Sequence, residues 1–161
     1  MNRTMTRGLR RLPLVLAATL SFGGCAKSTP AAETNAGKTF LAQNAKAADI
    51  HSTPSGLQYR ILKSGPETGA HPPGDGEVKV NYEGKLIDGT VFDSSYARGV
   101  PAVLAVEQLI PGWQEALKLM RPGDTWLVYL PAELAYADRD AGPIPAGSVL
   151  VFKLELIAVG L

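Results

Sequence analysis

The sequence predicts an α+β domain over residues 55–161, an antiparallel sheet of five or six strands wrapped around one short helix. Three observations carry that expectation. Apolar and polar residues alternate at Leu57, Tyr59 and Ile61 and again at Val78, Val80 and Tyr82, the two-residue period of half-buried strands. Trp113, Ala116, Leu117 and Met120 recur at helical spacing and form the one convincing apolar stripe. The chain lacks the strand–helix alternation of a parallel sheet, and no internal repeat is visible.

Taken in order, residues 1–24 read as a signal peptide. Arg3, Arg7, Arg10 and Arg11 precede an apolar run from Leu12 to Phe22, and no acidic residue comes before Glu33. The run is shorter than the roughly 20 apolar residues a bilayer span requires. Cys25 is the sole cysteine, so it can form no disulfide within the chain. It is either a free thiol or the lipid-bearing first residue of a bacterial lipoprotein, whose processing sites the small residues before it resemble. Phe22 departs from the aliphatic residue usual there. Arg10-Arg11 is compatible with twin-arginine export, and equally with any basic leader.

Residues 25–54 are expected to be a lipid-anchored, flexible tether. Ala26 to Lys38 is rich in Ala, Thr, Ser, Asn, Pro and Gly, too little apolar surface to fold alone. Phe40 to Ile50 is Ala-rich and predicts a short helix that packs Phe40 and Leu41. Pro54-Ser55-Gly56 breaks that helix and opens the folded domain.

Leu57 to Leu62 is the first strand, and the Pro- and Gly-rich segment from Ser64 to Gly76 is a loop. His51 and His71 fall in polar, proline-flanked stretches and are expected to be solvated. Val78 to Tyr82 forms the outgoing arm of a hairpin, turned at Asp88-Gly89 and returning through Thr90, Val91 and Phe92. This hairpin delivers two aromatic walls, Tyr82 and Phe92, and one carboxylate, Asp93. Tyr96 to Pro101 reads as a flap-like loop and Ala102 to Val106 as a strand. Ile110-Pro111-Gly112-Trp113 opens the helix, since proline suits a first helical position where its missing N–H has no partner to lose. Arg121-Pro122-Gly123-Asp124 stops it. Thr125 to Leu130 is a strand, Pro131 to Pro145 a long loop carrying Tyr136 and Ile144, and Val149 to Ile157 a last strand containing Phe152.

Charge and motif content narrow the function. Four of the 16 Lys and Arg residues lie in the first 24 positions, leaving 12 against 15 acidic residues in the remainder. A net charge near −3 argues against nucleic acid, which selects a basic face. No nucleophile stands in a recognisable spacing with a histidine and a carboxylate. There is no phosphate-binding glycine loop, metal-ligand spacing or dinucleotide fingerprint, so neither a metal nor a cofactor is expected. What remains is ligand binding, or a reaction that needs only a shaped apolar pocket.

The words V-N-Y-E-G-K-L-I-D-G-T-V-F-D-S-S, P-A-V-L, I-P-G-W-Q-E-A-L, L-M-R-P-G-D, L-A-Y-A and P-I-P-A-G-S-V-L-V-F follow one another between residues 80 and 152. They resemble the FKBP-type peptidyl-prolyl cis-trans isomerases, above all the exported bacterial members of the macrophage infectivity potentiator group. The resemblance implies the FKBP-like fold, isomerisation of X-Pro bonds in exported polypeptides and no cofactor. It implies a pocket made of Tyr82, Phe92, Asp93, Leu104, Leu109, Ile110, Trp113, Tyr136, Ile144 and Phe152, with Arg98 pairing to Asp93. Trp113 would be the floor, Tyr82, Phe92 and Phe152 the walls, and the Ile110 N–H and Tyr136 hydroxyl the donors to peptide carbonyls. The partners implied are proline-containing polypeptides, a membrane reached through the lipid, and a macrolide of the rapamycin type. Ala102, where some members carry an aromatic wall, and Ala137, where glycine is usual, put macrolide affinity in question. Residues 26–54 are too short for the helical dimerisation domain of longer relatives, so a monomer is expected, exported and held as a lipoprotein on the periplasmic side of the outer membrane. Two other readings stay open: a non-catalytic peptide-binding chaperone using the same cleft, and a carrier of small apolar ligands.

Overall fold

The computed structural model describes residues 30–160. The expected signal peptide, its arginine pair and the expected lipidation at Cys25 lie outside the described residues. Helix α1 spans Pro30–Asn44, followed by strands β1 (His51–Ser52), β2 (Gln58–Lys63), β3 (Glu77–Leu86) and β4 (Val91–Ser94). A short helix α2 (Ser95–Arg98), strand β5 (Ala102–Ala105), helix α3 (Pro111–Leu119) and strands β6 (Thr125–Leu130) and β7 (Leu150–Val159) complete the order.

The sheet is antiparallel throughout and runs β1-β2-β6-β7-β3-β4, with β5 also paired to β3. It has seven strands where five or six were expected. One reason is that β1 is only two residues long, too short for any periodicity to announce it. The other edge of β3 is shared. Residues 77–80 pair with β5 and residues 83–85 with β4.

Helix α3 packs its stripe onto one face of this sheet. Trp113, Ala116, Leu117 and Met120 are buried in one cluster with Val78, Val80, Val128, Leu130, Leu154 and Leu156. Each such aliphatic side chain removed from water contributes about 1.5–3 kcal/mol relative to leaving it exposed. Pro111 occupies the first turn of α3, as the sequence led one to expect.

Two local expectations are corrected. The helix placed at residues 40–50, after a tether over 26–38, instead runs Pro30–Asn44. A mid-helix glycine costs about 1 kcal/mol against alanine, yet Gly37 is what allows docking: a Cβ there would stand 2.6 Å from Val149 Cγ2. The Phe40 ring lies 5.9 Å from that of Tyr129, and Gln58 donates to the Leu41 carbonyl at 3.0 Å while accepting from Asn44 at 2.9 Å. Tertiary contact thus holds a segment that composition alone made a tether. The second correction concerns the central hairpin. Its turn was expected at Asp88-Gly89 with both residues at positive φ, but of the two only Gly89 is left-handed (φ 89°). Leu86 N–H bonds Thr90 O and Gly89 N–H bonds Leu86 O, a three-residue connection ending in a left-handed glycine.

Candidate active site

Six segments meet around a cavity of about 230 Å3 at the N-terminal end of α3. Its lining is Tyr82 from β3, Phe92 and Asp93 from β4, Leu104 from β5, Gln108, Leu109 and Ile110 before α3, Trp113 within it, Tyr136 from the long loop and Phe152 from β7.

Neighbouring residues of a regular strand point to opposite faces, so Phe92 and Asp93 should not share a cavity. A bulge resolves this. Gly84 opposes Asp93 while Lys85 opposes Val91, which leaves Phe92 as the extra residue. The ring then lies across Gly84, where a Cβ would stand 2.6 Å from Phe92 and 2.7 Å from Phe152. The aromatic rings meet edge to face, the arrangement their quadrupoles favour. Tyr82 and Trp113 are 5.1 Å apart at 82°, Trp113 and Phe152 5.2 Å at 90°, and Phe92 and Phe152 5.6 Å at 85°. Trp113 is only 5 % exposed, and its indole N–H has no acceptor among the described residues.

One wall carries a polar triad. The Tyr82 hydroxyl donates to Asp93 Oδ2 at 2.5 Å, and Arg98 bonds both Asp93 Oδ1 and, at 2.8 Å, the Tyr82 oxygen. The guanidinium also lies 5.4 Å above the Tyr82 ring. Partial burial works against the Asp93 charge, but the Tyr82 hydrogen bond and then the bond and charge of Arg98 outweigh it and hold the carboxyl below its ordinary value. Burial, followed by the bond to Asp93, pushes the Tyr82 phenol above its ordinary value. Asp93 is therefore a fixed anion and Tyr82 a fixed neutral donor near neutral pH, so neither is poised to exchange protons.

Two donors are left over. The Ile110 N–H, at the cap of α3, and the Tyr136 hydroxyl have no acceptor among the described residues. Gln114, one turn into α3, donates to Leu109 O at 2.8 Å and Glu107 O at 3.2 Å and so fixes the segment that presents Ile110. Tyr136 sits on a turn held by Ala137 N–H to Ala132 O and Gly147 N–H to Ala137 O, both 2.7 Å.

Nine of the residues expected at the pocket line this cavity. Arg98 stands beside it as the partner of Asp93. Ile144 does not line it: a bridge to Ala141 turns the loop back and buries Ile144 in the core. Sequence reasoning missed Gln108, Gln114 and the spacer role of Gly84. Gly84 left a trace in the pattern, as a glycine inside an alternating strand marks a close approach.

Comparison with known proteins decides the family. The model for the FKBP-type peptidyl-prolyl cis-trans isomerase domain matches residues 69–157, more than half of the chain. This chain belongs to that family. A second model, for the domain amino-terminal to FKBP-type isomerases, matches residues 24–61, which contain α1. The chain is 52% identical over 124 residues to the FKBP-type 22 kDa peptidyl-prolyl cis-trans isomerase of Escherichia coli K12, covering 76% of this chain and 59% of that one. It is 51% identical over 124 residues to the outer membrane protein MIP of Legionella longbeachae, covering 76% and 52%. A crystal structure of a peptidyl-prolyl cis-trans isomerase from Pseudomonas syringae matches with TM-score 0.76 and 33% identity over 84% of this chain and 98% of that one. The chain spans about half the length of the curated relatives it matches.

Proposed function

We propose that this FKBP-family chain accelerates cis–trans rotation about X-Pro bonds in exported polypeptides. The observation that carries the proposal is the aromatic cup with two unengaged donors, the Ile110 N–H and the Tyr136 hydroxyl, on its lining. Amide resonance gives the X-Pro bond a barrier of about 18–20 kcal/mol, and unassisted rotation takes about 10–100 s. The twisted transition state has lost that resonance, so its carbonyl is less polar than in the planar amide. A water-poor cup penalises the planar form more than the twisted one, which is catalysis by differential binding without proton transfer. Trp113, Phe92, Phe152 and Tyr82 hold the proline ring. Ile110 and Tyr136 fix the flanking carbonyls so that rotation is confined to one bond. Asp93, tied to Tyr82 and Arg98, holds the wall and orients its polar groups. A thousandfold acceleration needs about 4 kcal/mol.

A protease-coupled assay with proline tetrapeptides tests this on the whole chain. Acceleration over the uncatalysed rate is expected, and its absence leaves a peptide-binding chaperone. The proposal includes export, a lipid on Cys25 and an outer-membrane location facing the periplasm. The basic, apolar leader ending at Cys25 and the printed name of the Legionella relative support it. Mass spectrometry of the mature N-terminus decides: an unmodified Cys25 removes the lipid anchor. Light scattering checks the monomer, and a rapamycin titration checks whether Ala102 and Ala137 spare macrolide binding.

A further inference from the structure

The outer edge of β3 changes partner beside the site, from β5 at residues 77–80 to β4 at residues 83–85. Asn81 and Tyr82 fall in the gap, where no strand meets their outer edge. A buried backbone N–H left in such a gap costs as much as a lost hydrogen bond. Ser95 fills it. Its side chain is 0 % exposed, and its hydroxyl oxygen accepts from the Tyr82 N–H at 2.8 Å. The hydroxyl proton has two acceptors in reach, Asn81 Oδ1 at 3.2 Å and Tyr82 O at 3.3 Å.

Ser95 is also the first residue of α2, and Arg98 is its last. The four-residue helix therefore grips Tyr82 twice, the backbone through Ser95 and the phenol through Arg98. The outer side of α2 is tied down too. Tyr96 donates to Glu155 Oε2 at 3.1 Å, the same oxygen that Asn81 Nδ2 reaches at 3.1 Å, and Lys153 lies 5.3 Å from the Tyr96 ring. Ser94 closes the frame by accepting from Ala97 N–H at 3.2 Å.

We infer that Ser95 is a positioning residue for the isomerase site: its buried hydroxyl replaces the missing strand at Tyr82 and sets where the Tyr82 ring and Arg98 stand. This rests on the isomerase reading above for its kinetic consequence, but not for its structural one. Without the hydroxyl, Tyr82 can drift from Trp113 and the wall of the cup loosens while the sheet elsewhere stays paired.

The test is Ser95→Ala in the whole chain, with 5-fluorotryptophan at both indoles. Trp113 touches Tyr82, while Trp126 stacks on Tyr59 at 4.4 Å and serves as control. The Trp113 fluorine signal is expected to move or broaden while that of Trp126 holds. The kcat/KM for a proline tetrapeptide should fall about tenfold. Combined with Tyr82→Phe, the two losses should be far from additive, as expected of residues acting through one contact. An unchanged rate, movement of both signals or of neither, or simple additivity overturns the inference. Should Ser95→Ala fail to fold, hydrogen exchange of the unaltered chain decides: a Tyr82 amide protected like its strand neighbours supports the bond, and fast exchange overturns it. If the unaltered chain isomerises nothing, the isomerase reading fails while the fluorine signals still test Ser95.

Discussion

The two ends of helix α3 each hold an aromatic hollow with a buried tryptophan, and they differ in what their polar groups are doing. At the N-terminal end the cup brings Trp113, Tyr82, Phe92 and Phe152 together edge to face. At the C-terminal end a groove of about 340 Å3 is lined by Tyr59, Ile61, Leu119, Trp126 and several polar side chains. There Tyr59 and Trp126 lie face to face at 4.4 Å and 11°, with His51 stacked on Tyr59 at 5.0 Å. Neither indole N–H has an acceptor among the described residues, so the tryptophans alone do not distinguish the ends. The polar groups do. In the groove His71 bonds Met120 O at 3.0 Å, Arg121 bonds His71 at 3.2 Å, and Asp124 accepts from Gly65 N–H and Arg121 N–H. Those groups are occupied in closing loops. In the cup the Ile110 N–H and Tyr136 hydroxyl remain for a guest. Aromatic surface makes a hollow; unengaged donors beside it make a candidate site.

Breaking that contrast gives the largest expected effect. Asp93→Leu removes the anchor of Tyr82 and Arg98, and kcat/KM should fall about 100-fold while circular dichroism stays native, close to 3 kcal/mol of transition-state binding. Trp126→Phe, at the other end, should leave the rate within about twofold and instead lower stability by about 1 kcal/mol. Equal loss from both would erase the distinction between the ends.

Gly84→Ala attacks the cup from below. The new methyl would meet Phe92 and Phe152 at 2.6–2.7 Å, so the rings must shift, at a cost of about 1–3 kcal/mol of stability. A fall in kcat/KM of about tenfold with a lower unfolding midpoint is expected; full activity would mean that the ring positions do not matter.

These residues also show how far the sequence could be read. Tyr82, Phe92 and Asp93 were legible because one hairpin delivers them and because their order matches a known family. The bulge that lets Phe92 and Asp93 share a face was not, since alternation fixes faces only where register is regular. Ser95 was equally hidden. A serine after a serine reads as cap or turn, and only the split pairing of β3 makes its hydroxyl necessary. Ile144 went the other way, an apolar loop residue expected at the cup that the Ala141 bridge draws into the core. Helix α1 was expected ten residues too late, at 40–50, because its amphipathic signal is weak and its hold on the domain comes from Gly37 and Gln58, contacts between distant segments.

The pH dependence sharpens the same contrast with a smaller effect. Asp93 has its carboxyl lowered from an ordinary value of 3.8, so its contribution to stability is present above that value and is lost as pH falls through the still lower folded one. Tyr82 is raised from 10.0 and stays neutral up to that pH. Between about pH 5 and 9 neither group changes charge, and the isomerase rate constant should be flat. A bell-shaped profile in that range would mean that a titrating group takes part in the chemistry. The acid limb of a stability profile should weaken in Asp93→Asn.

The smallest effect concerns Ala137, which carries Tyr136 on its neighbouring residue and is left-handed at φ 53°, the one non-glycine residue with positive φ among those described. For an L-residue that conformation costs about 1–2 kcal/mol, and here the two 2.7 Å bonds through Ala132 and Gly147 hold it. Glycine adopts the same φ freely but also gains freedom in the unfolded chain, which returns about 0.4–1 kcal/mol of the benefit. Ala137→Gly should therefore raise stability by about 0.5–1 kcal/mol, visible as a small rise in melting temperature. Because the bonds already fix the turn, kcat/KM should change by less than about twofold. A large rise in rate would instead mean that the strained turn holds Tyr136 away from where a substrate carbonyl needs it. The alanine would then be a brake on the cup, not merely a tolerated substitution.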